Sequence, residues 1–200
     1  MKFVLYAILI GVGATALLDL WALLLTRFVG VPAPNFAMVG RWIGHFPNGR
    51  FAHDNIAKAS PVGGELAIGW AAHYAIGVAF AALLLAISGL DWARHPTPLP
   101  ALIVGLVTVV APLFVMQPAM GLGIAASKTP NPNAARLRSL VTHAVFGIGL
   151  YGSALLVAPL MRVKRRRRRR ALRSAGRGAG FPSPDRRSTP RSNIVQEWRA

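Results

Sequence analysis

Four stretches of this chain are apolar over lengths that leave little choice of fold. They run about 3–25, 66–88, 101–125 and 139–161, and end at Arg27, Asp91, Lys128 and Arg162. A hydrocarbon core about 30 Å thick is crossed by roughly 20 residues of helix. Lipid offers the backbone no hydrogen-bond partner, so each run has to satisfy its own N–H and C=O groups as a helix. The expected fold class is all-α, an integral membrane bundle of four transmembrane helices in residues 1–161. Composition agrees: 14% of residues are charged, against roughly a quarter in soluble domains. With no cysteine, disulfides, thiolate metal sites, iron–sulfur clusters and thioether-linked haem are excluded.

The first run begins after Lys2 and contains the small pattern Ala14, Thr15, Ala16, as a secretory signal does. Its apolar character continues through Trp21 to Leu25, too far for a signal peptide and right for a membrane anchor. The connection 30–64 is expected to lie outside the membrane. Within it, Asn35 caps a short interfacial helix whose Phe36, Val39, Ile43 and Phe46 share a face. Ser60 and Pro61 read as N-cap and first turn of the second span, with Glu65 near its positive end.

The net charge of +17 is concentrated: residues 162–200 hold 14 Lys/Arg and 2 Asp/Glu. Such a tail has too little apolar content to fold and is expected to be disordered. Arg162, Lys164 and Arg165 to Arg170 directly follow the last span, which places the C-terminus, and with four spans the N-terminus, in the cytoplasm. Arg41, Arg50, Lys58, Lys128, Arg136 and Arg138 in the two outward connections argue for the reverse; the density of the tail decides. Besides orienting the chain, the tail is expected to attract anionic lipid headgroups, with nucleic acid not the expected partner.

An ionisable group inside a span is costly unless it faces other helices, so each is a functional candidate. The spans contribute Asp19, His73, Gln117 and His143 in turn. At 1.5 Å per residue they lie about 6 to 10 Å from their span midpoints, all displaced toward the face carrying the 30–64 connection. Small residues accompany them on their helix faces: Gly11, Thr15 and Ala22; Gly69, Gly77 and Ala81; Ser139, Gly147 and Ala154. Such stripes let helices approach closely, so one buried polar layer is expected, with Glu65 one turn above Gly69 at its entrance. Pro112 and Pro118 bracket Gln117 and should break the third helix there.

The layer admits several uses. It can hold the bundle in register, exchange protons or bind a small polar solute, or ligate metal or haem through His73 and His143. Arg41, His45, Arg50, His53 and Asp54 in the connection are acid/base or phosphate candidates, but no phosphate loop, zinc motif or catalytic triad is recognisable. The expectation is a non-enzymatic binding or transport protein without cofactor or metal. The alternative is a scaffold or accessory subunit, packing as a homo-oligomer or against a membrane partner.

Five blocks, GVGATALLDLWALL, VGRWIGHFPNGRFAHD, GELAIGWAAHYAIG, MQPAMGLGIAASKTPNP and RLRSLVTHAVFGIGLY, occur in order over about residues 4–156. In these the chain resembles a bacterial membrane family catalogued as domain of unknown function 2938. The resemblance implies an integral protein of the bacterial inner membrane and assigns no ligand, cofactor or functional residue. The basic extension after Met161 falls outside it.

Overall fold

The computed structural model describes residues 1–178, with side chains through Pro159. Its elements are helices: α1 (Lys2–Leu24), α2 (Phe36–Gly44), α3 (Glu65–Arg94), α4 (Pro98–Val107), the short α5 (Gln117–Ala119) and α6 (Pro132–Gly178). Among the described residues, four stretches are long and apolar enough to cross a membrane: Lys2–Val29, Glu65–Arg94, Pro98–Ala119 and Pro132–Pro159. All of these belong to a compact unit, Met1–Arg162. Helix α6 continues through residues 162–178, into the first part of the tail expected to be disordered; the rest of the tail lies outside the described residues, as do the side chains beyond Pro159.

The span ends depart from expectation where glycine takes the left-handed region. The third span stops near Ala119, short of residue 125, because Gly121 and Gly123 adopt φ of 85° and 74° and turn the chain into a folded loop. The second begins at Glu65, not Ser60, with Gly64 at φ 74° before it. Glu65 itself caps this start, its Oε2 accepting from the Val62 N–H at 3.1 Å, in the manner of a capping box. The same span runs on past Ser88 to Arg94, with a break at Gly89. In the third span the Pro112 break takes the form of a π turn, Pro112–Met116, between α4 and α5, the local rewinding that a missing N–H invites.

Small residues set the helix contacts, as the stripes anticipated. A Cβ on Gly77 would lie 2.0 Å from Thr15 Oγ1, and one on Gly105 would lie 2.5 Å from the Gly147 Cα. Thr15 turns its hydroxyl to the Gly11 carbonyl, 2.8 Å away, so the α1–α3 contact is closed without an unpaired donor. Ile10, Ala14, Ala81, Leu84, Leu85 and Leu150 are fully buried between the helices. Larger side chains such as Leu23, Ile87, Val107 and Leu156 face outward, suiting a lipid environment that neither favours nor penalises their exposure.

Helix α2 is capped by Asn35, whose side chain accepts from the Met38 N–H at 3.4 Å, as the sequence predicts. It crosses the start of α3 at Gly40 and Gly69. A Cβ on Gly40 would fall 1.7 Å from the Glu65 carbonyl oxygen, and one on Gly69 would fall 1.8 Å from that of Phe36. The buried residues of α2 are Gly40 and Arg41, so this helix meets the bundle through a glycine and an arginine while its larger apolar residues are half-buried.

Candidate functional site

The crossing of α1 and α3 brings Asp19 and His73 together. His73 Nε2 donates to Asp19 Oδ1 at 2.8 Å, and the neighbouring Tyr74 hydroxyl donates to Asp19 Oδ2 at the same distance. Both carboxylate oxygens are thereby engaged by one turn of α3. The site is not sealed: the His73 and Asp19 side chains retain 16% and 24% of their exposure. Helix α2 roofs it. The Phe36 ring lies 4.4 Å from the His73 ring and 4.5 Å from Trp70. Tyr74 is a site residue that sequence reasoning missed, and Phe36, expected only on the face of an interfacial helix, joins it. An aromatic beside a span, as Phe36 is, usually signals headgroup anchoring, and nothing local reveals that the hydroxyl of Tyr74, well inside α3, faces a carboxylate 55 residues away.

The other two members of the expected layer have different surroundings. His143 Nδ1 is 3.1 Å from both Thr108 Oγ1 and the Gly105 carbonyl. Because the Thr108 hydroxyl itself donates to Gly105 at 2.7 Å, Nδ1 carries the proton shared between the two oxygens. Its ring neighbour is Phe80. Gln117 is nine residues beyond Thr108, about 13 Å further along at 1.5 Å per residue. It is buried with Oε1 unpartnered. A single stratum of four therefore gives way to an Asp19–His73–Tyr74 group, a histidine held against α4, and a glutamine near the C-terminal end of the third span.

The metal or haem reading needs His73 and His143 as a pair. Their rings have separate neighbours, and among the described residues no three of His, Cys, Asp and Glu come together to hold a metal. Glu65 is likewise not free to guard an entrance. Arg41 grips it with two bonds, Nε to Oε2 and Nη2 to Oε1, each 2.8 Å. Arg41 Nη1 also reaches the Ala57 and Ala59 carbonyls at 3.4 and 3.3 Å. This fork ties α2, the connection and α3 together, and its hydrogen bonding to Glu65 raises the Arg41 pKa.

Of the remaining connection residues, His45 places Nε2 3.0 Å from the Ser60 carbonyl and its ring 4.9 Å from that of His53. His53 is buried with neither nitrogen hydrogen-bonded. Burial first, then the neighbouring His45 and Arg50, lowers its pKa below the usual 6.5, against the pull of Asp54. Between that lowered value and 6.5 the unfolded chain binds more protons, so stability rises with pH through the window and levels off above it. Thermal unfolding in detergent should therefore show a midpoint that falls as pH drops below 6.5. The fall should be shallower in His53→Phe; equal slopes in both proteins would disprove the assignment.

Neither curated proteins nor solved structures provide a match to this chain. A family model does, over residues 8–157, which takes in most of all four apolar helices and the site between them. The chain belongs to the family described as Protein of unknown function (DUF2938).

Proposed function

We propose that this is a multi-pass protein of the bacterial inner membrane, with both termini cytoplasmic. In this reading it binds or moves a proton, or a small polar solute linked to one, without catalysing a reaction. The observation that carries the reading is the Asp19–His73 contact of 2.8 Å between two spans. A carboxylate and an imidazole in one hydrogen bond can pass a proton between them near neutral pH, and ionisable groups at such depth mark ion and proton paths. Tyr74 occupies the second carboxylate oxygen, which directs exchange through the first. Phe36 against the His73 ring makes α2 the element whose position responds to the charge on that ring. The basic run Arg162, Lys164 and Arg165 to Arg170 meets anionic headgroups on the cytoplasmic side.

The test is proton flux into proteoliposomes containing a trapped pH dye, driven by a potassium diffusion potential. Wild-type protein should acidify the lumen faster than protein-free vesicles leak. Asp19→Asn, which keeps the side-chain shape but cannot ionise, should return the rate to that leak. Wild-type flux equal to the leak, or D19N flux equal to wild type, defeats the proposal.

A further inference from the structure

A second site lies away from Asp19, where the long connection docks on the loop after the third span. The His53 N–H donates to the Ala119 carbonyl at 2.8 Å, and the Ile56 N–H donates to that of Met120 at 3.1 Å. Gly121 permits the approach, since a Cβ there would lie 2.1 Å from the Asp54 carbonyl oxygen. Between the two segments is a cavity of about 550 Å³, lined by Arg50, His53, Asp54, Ser127 and Lys128 among others.

The chemistry of this lining is uneven. Arg50 comes from the connection and Lys128 from the loop; both are exposed, and neither side chain is hydrogen-bonded or ion-paired among the described residues. The two cations outnumber the single carboxylate of the lining and so favour an anion, and a phosphate oxygen matches both donor types. Asp54 supplies that carboxylate from the connection, which suits an ammonium or hydroxyl carried by the ligand. His53 adds a buried imidazole with both nitrogens unpartnered. The loop is built, not slack: Ala125 and Ala126 hold φ of 49° and 59°, and Arg136 Nε donates to the Ala125 carbonyl at 2.8 Å.

We propose that this cavity binds a phosphate ester bearing an amine, with Arg50 and Lys128 on the phosphate and Asp54 on the ammonium. Phosphoethanolamine has this chemistry, either as a free solute or as the headgroup of a phospholipid. The inference is independent of proton exchange at Asp19, because it uses none of the same residues.

The experiment titrates the full-length protein in detergent with phosphoethanolamine and with inorganic phosphate, by calorimetry. Native mass spectrometry then follows release from nanodiscs containing phosphatidylethanolamine in phosphatidylcholine. Arg50→Gln and Lys128→Gln should each weaken phosphoethanolamine by about tenfold or more, as loss of a charge-assisted hydrogen bond does. Asp54→Asn should weaken phosphoethanolamine while leaving inorganic phosphate unchanged. All three positions are exposed, and matching far-UV dichroism confirms that the variants are folded. Binding of the free solute assigns a soluble ligand. Retention of phosphatidylethanolamine by wild type but not by the doubly substituted R50Q/K128Q protein, without solute binding, assigns a headgroup. No binding of either, or equal binding by R50Q/K128Q and wild type, overturns the proposal.

Discussion

Gly69→Ala will lever α2 away from α3 and lower stability by about 3 kcal/mol, the upper part of the range for overpacking. The added methyl would sit 1.8 Å from the Phe36 carbonyl oxygen, and the matching change at Gly40 would sit 1.7 Å from that of Glu65. Both obstacles are backbone atoms, which cannot rotate aside as a side chain would, so the helices themselves have to separate. Separation also pulls Phe36 from the His73 ring and stretches the Arg41 fork, linking the fold of α2 to the chemistry beneath it. Gly63→Ala is the control, because nothing lies within 4 Å of its Cβ position. Thermal unfolding in detergent, followed by near-UV dichroism, should separate Gly69→Ala from the control by many degrees. Coincident midpoints would mean that α2 does not rest on this crossing.

Asp19→Ala should cost about 2 kcal/mol, because it removes the acceptor from two donors at a half-buried site. His73 Nε2 and the Tyr74 hydroxyl both lose their partner on α1. Neither has another hydrogen-bond partner among the described residues. Tyr74→Phe removes one donor and should cost less. A double-mutant cycle between Asp19→Ala and His73→Ala isolates the pair itself, with a coupling of about 0.6 to 1.7 kcal/mol expected for a hydrogen bond between membrane helices. Strict additivity would show that the contact contributes nothing to holding α1 against α3. Together with Asp19→Asn in the flux measurement, the cycle separates what this carboxylate does for the fold from what it does for protons.

Some of this was written in local features of the chain. Span count follows from length and apolarity, because a helix in lipid satisfies its backbone by itself. The Asn35 cap depends on a side chain meeting an N–H three residues away, and the interruption at Pro112 depends on a donor that proline lacks. The polar outliers were conspicuous because their neighbours are apolar. Tertiary structure decided which of them meet. Asp19 takes His73 and Tyr74, while His143 takes Thr108 and Gly105, and Gln117 takes none with its Oε1. Depth along each helix was estimable from residue number, but partnership also needs each helix's rotation and lateral neighbours. Those are set by which glycines interlock, and a glycine that admits a neighbouring helix reads the same in sequence as one that ends a span, as Gly77 and Gly121 do here. The cavity beside Lys128 was out of reach for the same reason: Arg50 and Lys128 are separated by 78 positions, and only the docking of two loops through backbone hydrogen bonds, which carry no side-chain signature, places them on one wall-to-wall site.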